Sequence, residues 1–99
     1  MFQISCVKTR YFEFEAPDNL KVLHIEPPKL KTLNRLSKLR SDASPEEMTG
    51  IIATIISKNR ENRKVDSKLI MEWMNSDQLA VFIKAFLGWL NDTKDNDPN

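Results

Sequence analysis

The side chains that most often perform chemistry in proteins are few and scattered in this sequence. His24 is the only histidine and Cys6 the only cysteine, so the common zinc ligand sets and a supported Cys–His pair are lacking. Cys6 is predicted to be a small buried hydrophobic residue, and His24 a structural residue of a strand. The sequence therefore predicts no catalytic residues, no metal site and no intrachain disulfide.

Phosphate-binding loops and catalytic carboxylate pairs are not indicated either. Gly50 and Gly88 are the only glycines, which is too few for a glycine-rich phosphate loop. Glu46 and Glu47 are adjacent, but both fall at the predicted start of a helix, where acidic side chains favour the helix dipole. We therefore expect a protein that is not an enzyme and uses no cofactor.

The size and composition of the chain predict one small domain. Its 99 residues are 40% hydrophobic and 29% charged, with a formal net charge of +1. These values are ordinary for a globular protein, and such a charge gives no general attraction to polyanions. Residues 1–91 are predicted to form the domain and residues 92–99 a disordered acidic tail. The longest apolar stretch is shorter than the ~20 residues that span a bilayer, so no membrane association is expected.

The first part of the sequence has the period-two hydrophobic pattern of β-strands. The pattern occurs in residues 1–7 and again in residues 10–16, with a polar Lys-Thr-Arg connection. These two segments predict an N-terminal β-hairpin. Residues 17–19 then predict a turn, and residues 20–26 leave a third short strand as an open alternative.

The rest of the sequence has the period of about 3.6 residues that is typical of amphipathic helices. Four helices are predicted: one in the segment 29–40, one after the capping residue Ser44, one after Asp66 and one capped by Ser76. The first has an apolar face made by its leucines at positions 30, 33, 36 and 39. Together with the hairpin, these helices predict a predominantly helical α+β fold.

The last predicted helix, residues 76–90, is apolar over most of its circumference. At about 100° per residue, its large side chains form one face that suffices to cover a core: Leu79, Phe82, Ile83, Phe86 and Leu90. Val81, Ala85 and Trp89 extend the apolar surface on one flank. Such a helix is either buried at the centre of the fold or contacts a partner through one flank. In the second interpretation, the partner-binding residues are Trp73 (in the preceding helix), Val81, Ala85 and Trp89.

The segment 29–40 is basic and contains no acidic residue. Its cations are Lys29, Lys31, Arg35, Lys38 and Arg40. A basic stripe can contact nucleic-acid phosphates, although no aromatic residues are interleaved here for base stacking. A solvated helix face and a surface for an acidic protein are the other interpretations. A small nucleic-acid-binding or regulatory protein that uses this basic segment is therefore the alternative function.

The order of the predicted elements resembles the small tail assembly chaperones of long-tailed siphophages, including those of lactococcal phages. A β-rich start is followed by SPEEMTGIIATIISKN, then by VDSKLIMEWMNSDQLAVFIKAFLGWL and a polar tail. The resemblance covers roughly residues 1–91. It follows the layout of the elements and includes no invariant motif from which functional residues could be transferred.

This resemblance implies a binding function. Tail assembly chaperones bind the long, largely helical tape measure protein and keep it soluble until the tail tube assembles around it. They act in the host cytoplasm, are not part of the mature virion, and many of them self-associate. For this chain, the resemblance therefore implies a tape measure protein as partner, a homo-oligomer and no cofactor.

Overall fold

A computed structural model of the chain describes residues 1–4, 9–39 and 43–92. Its elements are, in chain order, β1 (Phe12–Glu15), β2 (Val22–Ile25), α1 (Leu30–Ser37), α2 (Pro45–Ser57), α3 (Ser67–Trp73) and α4 (Ser76–Asn91). A two-stranded N-terminal hairpin followed by four helices confirms the predicted α+β fold. The predictions for Cys6, Arg40 and the tail beyond Asp92 lie outside the described residues.

β1 pairs with the segment that the sequence left open as a third strand. The two strands are antiparallel over their whole length, in the register that sets Phe12 opposite Ile25. Residues 1–4 are not in a strand. The prediction that residues 1–7 pair with residues 10–16 is therefore wrong for residues 1–4, which are the described part of the first segment.

The turn between the strands gives the physical reason for this pairing. Pro17, Asp18 and Asn19 form the turn, and Leu20 N–H donates to the Ala16 carbonyl oxygen at 2.8 Å. Proline and Asp/Asn residues favour turn conformations, whereas the Lys-Thr-Arg connection contains none of them. The hairpin therefore forms around the stronger turn signal.

The core lies between the hairpin and helices α2 and α4. β2 packs on α2, and the aromatic side chains of β1 pack on those of α4. Inward-facing side chains alternate with more exposed ones along each strand, as the pleat requires. The largest fully buried side chains are Ile25, Ile52, Ile55, Ile56, Ile70 and Phe86.

The predicted caps of α2 and α3 are present. Ser44 Oγ accepts the Glu47 N–H at 3.2 Å, and Asp66 Oδ1 accepts the Leu69 N–H at 2.8 Å. Each bond satisfies a backbone donor that has no partner inside the helix. These two helices therefore begin where the sequence predicted.

Asn75 caps α4, and the prediction of Ser76 as the cap is wrong by one residue. Asn75 Oδ1 accepts the Gln78 N–H at 2.8 Å, while Gln78 Oε1 accepts the Asn75 N–H at 2.9 Å. This reciprocal pair satisfies two backbone donors at once. With Ser76 as the cap, the third helical position would be Leu79, which has no polar side chain to return a bond.

The loop between α2 and α3 is fixed by a buried amide. Asn59 is 4% exposed, and its Nδ2 donates to the carbonyl oxygens of Ile56 at 2.7 Å and Arg63 at 2.8 Å. Its Oδ1 accepts the Arg63 N–H at 2.9 Å. A backbone bridge between Asn59 and Ile25 then holds the loop against β2.

Candidate partner-binding surface

α4 is covered on one side and open on the other. Its buried residues are Leu79, Phe82 and Phe86, and the half-buried ones packed against the core are Ile83, Leu87, Trp89 and Leu90. The exposed apolar positions are Ala80, Val81 and Ala85, whose side chains are smaller. The large apolar side chains of α4 are therefore buried or half-buried, and these three smaller ones form an exposed apolar strip. In the described part of the chain, no helix has the length and hydropathy needed to cross a membrane.

Trp89 lies on the core-facing side of α4 and not, as predicted, on its free flank. Its ring centroid lies 5.6 Å from that of Phe12 and 5.5 Å from that of Phe86. The Arg10 guanidinium carbon is 4.2 Å from the Trp89 ring centroid. Arg10 also donates to the carbonyl oxygens of Trp89 at 2.9 Å and Leu90 at 3.0 Å. These bonds satisfy acceptors that every helix leaves free at its C-terminus.

Trp73 is half-buried at the end of α3. Its ring centroid is 6.0 Å from that of Phe14, and the Arg63 guanidinium carbon is 5.2 Å from the indole centroid. Arg63 in turn donates to Asp18, and this hydrogen bond lowers the pKa of the Asp18 carboxyl. The indole Nε1 is buried and has no hydrogen-bond partner among the described residues.

A groove of about 400 Å³ opens beside Trp73. Its apolar lining consists of Phe14, Pro17, Trp73, Met74, Val81 and Phe82, and the polar residues that border it are Asp77 and Gln78. The structure thus brings together two of the four predicted residues, Trp73 and Val81. Ala85 lies one turn beyond Val81 on the same side of α4 and is exposed, whereas Trp89 does not line the groove.

A second groove, of about 210 Å³, shares Met74 with the first. It is lined by Pro45, Met48, Thr49, Ile70, Met71, Met74, Asn75, Ser76 and Leu79. Three of the four methionines in the chain therefore border one apolar region, which we call the α3–α4 surface and define as the lining of both grooves. Methionine side chains are flexible and polarizable, and they adapt to partners of different shape.

Sequence reasoning missed most of this lining. Phe14 and Pro17 come from the hairpin, and Met48 comes from α2, so only the tertiary fold brings them to α3 and α4. The spacing of Met71 and Met74 gives no helix-face signal either, because α3 ends at Trp73 and Met74 follows it in an extended conformation.

His24 makes structural contacts on the solvent face of the hairpin. Its Nδ1 lies 2.6 Å from Glu61 Oε2, and its Nε2 lies 3.5 Å from Glu13 Oε2. Glu61 Oε1 also accepts the His24 backbone N–H at 2.8 Å. This backbone bond, together with the side-chain bond to His24, lowers the pKa of the Glu61 carboxyl. In the described ranges, no group of three or more His, Cys, Asp and Glu side chains is placed to hold a metal ion.

The basic segment is exposed on and beside α1. Lys31, Arg35 and Lys38 share one face by their spacing, and all three are exposed. None has an acidic side chain within 4.0 Å among the described residues. Leu30, which was predicted to belong to the apolar face, is 82% exposed because the helix begins at this residue and buries only Leu36.

No family model, curated protein or solved structure matches this chain.

Proposed function

We propose that the protein is a non-enzymatic tail assembly chaperone, which binds the helical tape measure protein of a siphophage and keeps it soluble until the tail tube assembles. The observation that supports a binding function best is the α3–α4 surface, where two apolar grooves meet at Met74. The nature of the partner comes from the resemblance in element layout. Self-association and a location in the host cytoplasm, outside the mature virion, belong to the same proposal.

The shape of the surface fits an amphipathic helix. Such a helix inserts apolar side chains at positions i, i+3, i+4 and i+7 into a hydrophobic groove. The larger groove accommodates such side chains between Trp73 and Val81, and the smaller one accommodates a further side chain beside Met71. A long rod presents many different apolar stripes, so a methionine-lined surface that repacks suits this partner better than a rigid pocket.

The contact between one copy of the chain and one helix of the tape measure protein is weak because the two grooves are small, but the long tape measure protein offers many such sites. Several copies that also contact one another gain affinity by avidity, because each further copy binds at a raised effective concentration. Weak individual contacts also allow release, which assembly of the tail tube requires.

The test is co-expression of the chain with the tape measure protein of the same phage genome. The variant is Val81→Glu, and its matched control is Leu30→Glu on α1. Val81 is 67% exposed and Leu30 82% exposed, so each change should alter unfolding by at most about 0.5 kcal/mol. Circular dichroism melting checks that both variants are folded.

We expect the wild-type chain and Leu30→Glu to keep the tape measure protein in the soluble fraction and to co-purify with it. Val81→Glu places a charge in the larger groove, so the tape measure protein should then precipitate. Soluble tape measure protein with Val81→Glu, or equal loss with both variants, would contradict the proposal.

The alternative function is nucleic-acid binding through α1. The observation that favours it is the row of exposed cations, Lys31, Arg35 and Lys38, with no acidic partner in the described part of the chain. Fluorescence anisotropy with a short DNA duplex tests it at several salt concentrations. Affinity that falls steeply with salt, and that is lost in Arg35→Glu, would favour the alternative over the chaperone.

A further inference from the structure

Within the described ranges of the chain, no residue bonds to the backbone of β1 along its outer edge. The His24 backbone N–H bonds to Glu61 Oε1 at 2.8 Å, and its carbonyl oxygen accepts the Arg60 N–H at 2.9 Å. Both groups therefore point away from β1, and Glu13, which lies opposite His24, is in a non-hydrogen-bonded pair. The N–H and C=O of Glu13 must then point away from β2. Glu15, two residues further, has the same orientation.

The two edges of the hairpin differ. The outer edge of β2 is covered by the loop after α2, whose bonds include Glu26 N–H to the Lys58 carbonyl oxygen at 2.9 Å. Among residues 1–4, 9–39 and 43–92, none bonds to the outward groups of Glu13 and Glu15, and both residues are exposed. A row of unpaired N–H and C=O groups is a template for an added strand.

The charge of this edge selects against a second copy of the chain. Glu13 and Glu15 project from the solvent face of β1, and no Lys or Arg nitrogen in the described ranges lies within 4.0 Å of either carboxylate. In the antiparallel registers with the greatest overlap, two copies of β1 would set Glu13 opposite Glu13 or Glu15. Like charges directly opposite each other destabilise a strand pair, whereas Lys or Arg at these positions would be complementary.

An added strand would have a second face, which points away from Glu13 and Glu15 and would lie beside the larger groove. Phe14 projects inward from β1 and lines that groove together with Trp73 and Val81. Because successive side chains of a strand point to opposite faces, one set of side chains would meet the glutamates. The alternate set would meet apolar groove residues.

We infer that the outer edge of β1 binds an extended segment of another protein, in which Lys or Arg residues alternate with apolar residues. The segment adds to the hairpin as a third strand. Main-chain bonds to Glu13 and Glu15 give affinity, and the alternating side chains give specificity, as in other cases of strand addition. This interaction goes beyond the proposed function, which concerns a helical partner.

A synthetic peptide with the sequence Lys-Val-Lys-Val-Lys-Val-Lys tests the inference. A residue directly opposite Glu13 projects to the same face as Glu13, so the lysines of the peptide face the glutamates. The lysine N–H and C=O groups then point toward β1, and the valine N–H groups point away. Two methylated peptides of equal mass and charge provide a matched pair: one is methylated at the lysine amide nitrogens and the other at the valine amide nitrogens.

The measurements are a titration followed by amide NMR and the hydrogen exchange of the Glu13 and Glu15 amides. We expect saturable binding of the unmethylated peptide, with slower exchange at both amides. Methylation of the lysine amides should weaken binding about tenfold or more, because it removes the bonds to β1. Methylation of the valine amides should leave the affinity nearly unchanged. Glu13→Gln with Glu15→Gln should also weaken binding, whereas Glu72→Gln should not.

Three results would overturn the inference. Equal affinity for the two methylated peptides would show attraction by charge without strand pairing. Protection of the Glu13 and Glu15 amides in the protein alone, in a concentration-dependent dimer, would show that a second copy occupies the edge. Absence of saturable binding by the unmethylated peptide at low salt would show that the edge accepts no cationic strand.

Discussion

Replacement of Trp89 by alanine tests whether this residue belongs to the core or to a free flank of α4. In the structure, the Trp89 ring contacts Phe12 and Phe86, and Arg10 lies over it. Trp89→Ala removes two aromatic pairs and a cation–π contact together with the apolar area that they bury. The loss should then resemble a core truncation.

The expected magnitude follows from these contacts. Each aromatic pair contributes about 0.5–1.5 kcal/mol beyond its buried area, and a partly exposed cation–π contact about 0.5–1 kcal/mol. Full burial of a tryptophan would make the truncation cost about 3–5 kcal/mol, and Trp89 is only half-buried. We therefore expect a loss of about 2–4 kcal/mol from a total stability of about 5–15 kcal/mol.

The assay is urea unfolding followed by circular dichroism, because the substitution removes a tryptophan and would confound fluorescence. Trp89→Phe is the matched control: it keeps an aromatic ring against Phe12 and Phe86, and should recover most of the stability. Val81→Ala, at a position that is 67% exposed, should cost about 0.5 kcal/mol or less. If Trp89→Ala lost no more than Val81→Ala, the packing of α4 under β1 would be refuted.

Two further predictions concern the loop after α2. Asn59→Ala should lower the free energy of unfolding by about 2–4 kcal/mol, because it leaves the buried Ile56 carbonyl and the part-buried Arg63 backbone groups without these partners; a loss below about 1 kcal/mol in urea unfolding would contradict this network. The bond from the His24 backbone N–H lowers the pKa of Glu61 in the folded protein. The ionised Glu61 carboxylate therefore adds to the free energy of unfolding above the unfolded pKa of about 4.5. This added stability is lost as the pH falls through the lower folded pKa. Glu61→Gln should therefore flatten the acid limb of a stability–pH profile measured by thermal melting, and an unchanged slope would refute this linkage.

The starts of α2 and α3 were predictable because their signals are local. Ser44 and Asp66 each bond to a backbone N–H three residues away, so the short sequence around each cap contains all the information needed. The cap of α4 was misplaced because Ser76 and Asn75 are both good caps. The choice between them depends on which one finds a polar side chain three residues later.

The partner of β1 could not be predicted from periodicity. Segments 1–7 and 10–16 both have a period of two, while segment 20–26 has apolar residues on both sides, so the pattern alone does not predict that 20–26 is the partner. The loop after α2 favours β2 as the partner of β1, because Glu61 and Arg60 bond to the backbone of His24 from more than thirty residues away. Such distant support has no signature in the strand itself.

The sequence predicted only part of the candidate site, and the reason is geometric. Val81, Ala85 and Trp89 are spaced by four residues, and each such step rotates by about 40° around a helix. Two steps rotate by about 80°, which is enough to carry Trp89 from the free side to the core while Val81 stays exposed. The groove that joins Val81 to Trp73 needs Phe14 and Pro17, and only the folded chain brings these residues together.

The contact of Arg10 with the end of α4 has a consequence for synthesis of the chain. The residues joined by this contact are 79 positions apart, and the phenylalanines of β1 are covered largely by α4. At a ribosomal rate of about 5–20 residues per second, α4 is completed roughly 4–16 s after Arg10. A two-stranded hairpin is marginal without a covering layer, so during this interval the aromatic face of the strand lacks the helix that covers it in the fold. The hairpin therefore acquires its stability last, although it is translated first.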